Sequence, residues 1–269
     1  MPKIKIRDIS LYYEMFGAGP PVVLIMGWSG NVRWWPQEFI QVLARHFQVI
    51  IFDNRGSGRS CHASNGRPYT IPLLAEDTIN LMDGLDIRQP HILGLSMGGM
   101  IAQELSLRFP HRIDRLILAC TFSQPSINNF VSSNTLKIIP RYLLDPRARR
   151  RTVMTNLVFE HRFLQSLSPE RFARIQEAID SQGMSHGAKM KQIRAILRFS
   201  SDRRLEELQA PTLVLAGDRD SLINPNASKN LAQKIPNASL KLLAGRGHGF
   251  IFEEPNESGI IARDFFLGV

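Results

Sequence analysis

The 269-residue chain is 43% apolar and 21% charged, the balance of an ordinary globular protein, and is long enough for one large α/β domain or two smaller ones. Its formal charge of +9 is concentrated between Phe122 and Leu205, which hold 15 Lys or Arg against six Asp or Glu, while the remainder carries 18 of each. That segment includes PRARRRT (146–152) but lacks the interleaved aromatics and motifs of a nucleic-acid module, so a solvated helical face is expected and no nucleic acid.

The opening MPKIKIRDIS alternates charged and apolar residues instead of building a signal-peptide core, and no stretch approaches the length of a membrane span, so a cytoplasmic protein is expected. Cys61 and Cys120 form no CxxC pair, which argues against a disulfide framework or a structural zinc. The seven histidines lack HExxH spacing and add no metal site.

Two short strands, 3–7 and 11–16, come first, and GAGPP then turns the chain into an apolar strand at 22–26. Strands and helices alternate from there: helix near 34–45, strand 47–52, helix near 71–85, strand 91–95, helix 97–108, strand 113–119. This rhythm predicts an α/β fold with a mostly parallel central sheet flanked by helices. After the sixth strand the rhythm stops. Residues 122–205 read as a helical insertion, with Ser168-Pro169-Glu170 a well-formed helix start. Strand 210–217, a helix near 226–235, strand 238–245 and a helix inside 254–267 then resume the sheet. The organisation expected is a core in two parts, 1–121 and 206–269, around the insertion at 122–205.

The stretch HILGLSMGGMIAQEL (91–105) runs from strand into helix through Gly94-Leu95-Ser96-Met97-Gly98. Gly94 and Gly99 have P-loop spacing, but Met100 and Ile101 stand where Lys and Ser or Thr would be required, and no dinucleotide fingerprint is present. A G-x-S-x-G turn after a strand projects a serine hydroxyl from the carboxyl edge of a sheet, suited to attack on a carbonyl. Such a serine needs a histidine base and an orienting acid. GDRDS (217–221) and GRGHGF (245–250) supply both in the order Ser, Asp, His, each after a strand. The competing roles are ordinary ones: a loop-capping carboxylate for Asp220, a surface turn for His248.

With these features in order, the chain resembles the α/β-hydrolase superfamily over nearly its whole length, in particular small lidded carboxylesterases, enol-lactonases and cofactor-free haloperoxidase-like esterases. LIMGWSG (24–30) resembles their oxyanion loop and DNRGSGRS (53–60) the loop that follows. The resemblance implies Ser96 as nucleophile, Asp220 as acid and His248 as base, the backbone N–H groups of Trp28 and Met97 as oxyanion hole, and 122–205 as a helical cap over the pocket. It favours Asp220 over Asp218, which the spacing alone leaves open. Met26-Gly27 departs from the frequent His-Gly of relatives and leaves open what supports that loop.

The implied activity is hydrolysis of a small-molecule carboxylic ester or lactone through an acyl-enzyme, with no metal or organic cofactor. The alternatives are a carbon–carbon bond hydrolase of the same fold or a non-catalytic ligand-binding receptor built on it; Ser96 argues against the dehalogenases and epoxide hydrolases, which carry Asp at the elbow. Trp28, Trp34 and Trp35 could line a pocket, although Trp34 and Trp35 equally fit a packed helix. Cys61 and His62 read as loop residues. The RARRR run reads as a solvated face, with attraction of anionic substrates as the other possibility.

Overall fold

The computed structural model describes residues 2–60, 68–126, 155–181 and 183–269. The chain opens with β1 (Lys3–Ile6) and β2 (Ile9–Phe16), an antiparallel pair. β3 (Pro21–Ile25), β4 (Gln48–Phe52), β5 (His91–Leu95), β6 (Leu116–Ala119), β7 (Thr212–Gly217) and β8 (Ala238–Leu243) follow. All lie in one eight-stranded sheet of order β1-β2-β4-β3-β5-β6-β7-β8. β2 meets β4 antiparallel, and every pairing from β4 to β8 is parallel.

The central strands PVVLI, QVIIF, HILGL and LILA are buried almost throughout, as a parallel sheet covered on both faces demands. Their alternation divides the core in two. Val23, Ile25, Ile50 and Ile92 face α2 (Ile71–Gly84), α3 (Met97–Arg108) and the later α7 (Pro225–Lys234). Val22, Leu24, Val49, Ile51 and Leu93 face α1 (Gln37–Ala44) and the C-terminal α9 (Pro255–Leu267).

The single helix expected at 34–45 is two elements. Pro36 cannot continue a turn begun before it, and the residue ahead of a proline is driven to extended backbone. A 3₁₀ turn therefore spans Val32–Trp34, Trp35 is extended, and α1 starts at Gln37. Both indoles pack in the core, Trp34 edge-on to Phe252 and Trp35 stacked on Phe39, and Trp35 also borders a cleft of about 300 Å³ with Arg33 and Arg174. The sixth strand is shorter than expected, beginning at Leu116 instead of 113.

Between β6 and β7 the described residues form α4 (His161–Ser166), α5 (Pro169–Asp180), α6 (His186–Leu197) and a 3₁₀ segment, Asp202–Glu207, with no strand among them. The Ser168 hydroxyl caps α5 by accepting from Arg171 N–H at 3.2 Å, with Pro169 in the first turn. Cys61, His62 and the basic run Arg149, Arg150 and Arg151 lie outside the described residues. Among the described residues no helix is long and apolar enough to cross a membrane. α8 (Phe250–Glu253) completes the chain ahead of α9.

Two glycines let β3, β5 and α3 meet. A Cβ on Gly94 would strike the Gly98 carbonyl, and one on Gly98 would strike the carbonyls of Ile25 and Met26. Gly187, in the first turn of α6, faces open space. Gly98→Ala is accordingly expected to lower unfolding stability by about 1–3 kcal/mol or more. Gly187→Ala should be neutral or stabilising by up to about 1 kcal/mol. Urea unfolding of both variants beside the parent tests the pair, and equal effects would contradict the packing.

Candidate active site

Ser96 stands at the joint of β5 and α3 with φ 57° and ψ −116°, a conformation a residue with a side chain adopts only under constraint. Its N–H donates to the Ala119 carbonyl at 2.8 Å, and its own carbonyl accepts from the Thr121 hydroxyl at 2.8 Å and from Gly99 N–H at 2.9 Å. These bonds anchor the turn to the end of β6. Met97 is the first residue of α3, so its N–H belongs to the first-turn donors that have no acceptor inside the helix, at the positive end of the helix dipole.

Asp220 follows β7 and His248 follows β8, so both project from the same carboxyl edge as Ser96. Their side chains meet: His248 Nδ1 lies 2.7 Å from Asp220 Oδ2, and both groups are buried. Asp220 Oδ1 accepts the N–H groups of Leu222 and Ile223 at 2.8 and 2.9 Å. Asp218 is exposed, and its carboxylate accepts Gly245 N–H at 2.7 Å, tying the acid loop to the histidine loop. The two aspartates left open by spacing thus divide into a loop brace and a partner of histidine.

Cys120, just past β6, is buried beside this pair, and its sulfur, an Asp220 oxygen and a His248 ring nitrogen lie within 4.8 Å of one another. Burial pushes the thiol well above its ordinary range, and the neighbouring Asp220 carboxylate adds to that shift. A protonated thiol is a hydrogen-bond donor, and Asp220 beside it supplies an acceptor.

The loop after β3 turns tightly, with Gly30 N–H bonded to the Gly27 carbonyl at 3.3 Å and Ser29 in the left-handed region at φ 64°. Trp28 is half-buried and its indole N–H donates to the Lys189 carbonyl of α6 at 3.2 Å. Met26 is buried against Gly30 and supplies no polar side chain. The support comes from the next loop. Asn54 Nδ2 donates to the Met26 carbonyl at 2.9 Å, and the Asp53 carboxylate accepts Val32 N–H at 2.8 Å and Arg59 N–H at 2.7 Å. Burial pushes the Asp53 carboxyl up, against the pull of those two N–H groups. Arg55 is buried too, held bidentate by Asp77 at 2.7 Å and by Asp8 at 3.1 and 3.2 Å, which keeps its guanidinium firmly charged.

Behind His248, buried Glu253 on α8 accepts Gly247 N–H at 3.1 Å and Glu160 N–H at 2.9 Å. Neither Asn54 nor Glu253 is marked by the sequence as a brace, since each acts on backbone remote in the chain or across a turn. A cleft of about 750 Å³ bordered by Gly245 and Arg246 of the histidine loop is lined by Arg162, Arg171, Arg174 and Arg219 together with four glutamates. Arg171 is spent on the Phe252 carbonyl and Arg246 on Glu254, so this surface is mixed in charge rather than basic.

A family model described as the alpha/beta hydrolase fold matches residues 20–255, and the chain belongs to that family and is a hydrolase. A protein of Caulobacter segnis named "Putative carbamate hydrolase RutD" is 30% identical over 250 residues, covering 90% of this chain and 91% of its own. The crystal structure of a hydrolase from Pseudomonas aeruginosa PA01 is similar over 100% of this chain and 98% of that one, with a TM-score of 0.85 and 27% identity. The enol-lactonase from Burkholderia xenovorans LB400 shares the fold, with a TM-score of 0.85 at 24% identity over 99% of this chain and 100% of that one.

The brace behind the histidine loop has a pH signature. Burial is the largest influence on Glu253 and raises its carboxyl above the value in the unfolded chain. The stability it contributes is therefore full at low pH and declines as pH rises through the raised value. Glu253→Gln keeps an acceptor for Gly247 N–H and removes the ionisation. Between about pH 4 and 7, a span around the ordinary Glu value, its unfolding free energy should fall less with rising pH than the parent's. Urea titrations across that range check the sign, and parallel curves would contradict it.

Proposed function

We propose that the chain hydrolyses a carboxylic ester or lactone through an acyl-enzyme on Ser96. The observation that carries this reading is the 2.7 Å pairing of His248 with Asp220 on the sheet edge that also bears the constrained Ser96 turn. A serine hydroxyl alone is a weak nucleophile, and a buried imidazole oriented by a carboxylate is the base that activates it.

In the first half-reaction Ser96 Oγ bonds to the carbonyl carbon while His248 Nε2 takes the hydroxyl proton. Asp220 holds the other ring nitrogen and stabilises the imidazolium that forms. The carbonyl oxygen gains the negative charge and is received by the backbone N–H groups of Trp28 and Met97. The imidazolium then gives its proton to the departing alcohol oxygen as the acyl–oxygen bond breaks. Water repeats the sequence on the acyl-serine, releasing the acid and restoring Ser96. The helices between β6 and β7 serve as a cap over this edge, and the two flanking parts, 1–121 and 206–269, form the core.

The name of the Caulobacter segnis relative favours a second acyl group, a carbamate, whose carbonyl the same nucleophile, base and donors would serve. A panel of a simple ester, a lactone, an N-substituted carbamate and a vinylogous diketone separates these readings by product. Cleavage of the diketone alone would favour carbon–carbon chemistry, and absence of turnover with all four would count against acyl hydrolysis.

An activated fluorophosphonate is expected to label Ser96 and no other serine, and folded Ser96→Ala should be unlabelled and without turnover. Labelling of Ser29 or Ser57, or undiminished turnover in the alanine variant, would overturn the assignment. Asp220→Asn should lower kcat on the order of 10⁴-fold, whereas Asp218→Asn, whose amide oxygen still accepts Gly245 N–H, should keep most of the activity. Steady-state rates at matched folding decide between them.

A further inference from the structure

The turn that presents Trp28 N–H is not self-sufficient. Ser29 adopts left-handed backbone that favours glycine, it is fully buried, and its hydroxyl has no hydrogen-bond partner among the described residues. Something outside the turn has to hold it.

That support comes from α6. Gln192 is wholly buried, and its amide bridges two loops of the core: Oε1 accepts Ser29 N–H at 3.1 Å, and Nε2 lies 3.3 Å from both the Arg55 carbonyl and the Ser57 hydroxyl. The partners dictate the amide's orientation, because an N–H must face oxygen and a carbonyl must face the NH₂ group. One turn earlier on the same helix, the Lys189 carbonyl accepts the indole N–H of Trp28. On α5's C-terminal side, the Ser181 carbonyl accepts from Asn31 Nδ2 at 2.6 Å. Residues 28, 29 and 31 are thus all gripped from the segment between β6 and β7.

Resting on the hydrolase reading above, we propose that Gln192 is a positioning residue for the oxyanion hole. It makes α6 a wall of the site: the Trp28 donor is aimed only while that helix is seated. Neither isosteric nor apolar replacements can do the whole task. Glu offers the acceptor but no donor and brings a charge into a buried place, and Leu offers neither.

The test uses Gln192→Leu and Gln192→Glu beside Arg194→Ala, an exposed control on the same helix. Each is assayed on an oxoester and on the matching thionoester, whose sulfur accepts hydrogen bonds weakly and so depends less on the hole. Loss of a whole oxyanion donor costs about 10²–10³ in rate, so a displaced one should lower kcat of Gln192→Leu by about 10- to 100-fold. The KM should change by no more than about threefold, because the interaction is made in the transition state. The oxoester-to-thionoester ratio should fall with kcat, and Gln192→Glu should retain more activity than Gln192→Leu. Hydrogen exchange at the Ser29 amide should accelerate in Gln192→Leu. An unchanged kcat, an equal loss on both substrates, or a rise in KM alone would overturn the proposal and make Gln192 a fold or substrate-binding residue. If the parent turns over no acyl substrate, the hydrolytic reading fails separately, and an unchanged Ser29 exchange rate would then overturn the positioning role independently.

Discussion

The arrangement depends on one constrained turn. Ser96 can hold φ 57° only because the structure on every side leaves it no alternative. Gly94 and Gly98 allow β5, α3 and the end of β3 to approach closer than any side chain would permit. The Ala119 carbonyl and Thr121 hydroxyl then fix the turn from the neighbouring strand. Because β5 lies between β3 and β6, this packing also sets where the loops after those strands begin. The loop that leaves β3 runs beside Ser96, and a Cβ on Gly27 would sit 3.2 Å from that of Ser96.

Buried charge in this chain is used mainly to hold loops. Asp53 takes backbone N–H groups from residues 32 and 59, Arg55 is pinned between Asp77 and Asp8, and Glu253 braces residues 160 and 247. An unpaired buried charge would be prohibitive, so each of these groups is partnered. Such bonds tolerate little displacement. They resolve the question raised by Met26: a thioether suffices there because the polar contact to its backbone comes from Asn54, one strand away. A loop can therefore lose a polar side chain when its carbonyls and N–H groups are satisfied by a neighbour.

What was legible from sequence follows the range of each interaction. The alternation of apolar runs and helices was readable because strands buried on both faces are written in consecutive residues. The Ser96 elbow and the loops of Asp220 and His248 were readable because glycine, acid and histidine stand at the ends of such runs. Spacing alone did not separate Asp218 from Asp220, two residues apart on one loop, although the family resemblance favoured Asp220; the fold gives them different partners, Gly245 N–H and His248. The break at Pro36 was readable in principle from proline's fixed φ, yet the apolar pattern of 34–45 obscured it. Gln192, Asn54 and Cys120 were not legible. Their partners are 163, 28 and about 100 residues away along the chain, so no local pattern records them.

The surroundings of Asp220 determine more than the direction of one side chain. One oxygen is occupied by two backbone N–H groups and the other by His248 Nδ1. With a carboxylate as acceptor, the proton of a neutral imidazole resides on Nδ1, and Nε2 is left as the ring's basic atom. The buried thiol of Cys120 beside this pair contributes a donor rather than a second negative charge, because burial holds it protonated. A thiolate there would compete with Asp220 for the same Nδ1 proton. The fold therefore specifies the tautomer from three separate strand ends, leaving Nε2 as the ring's basic atom.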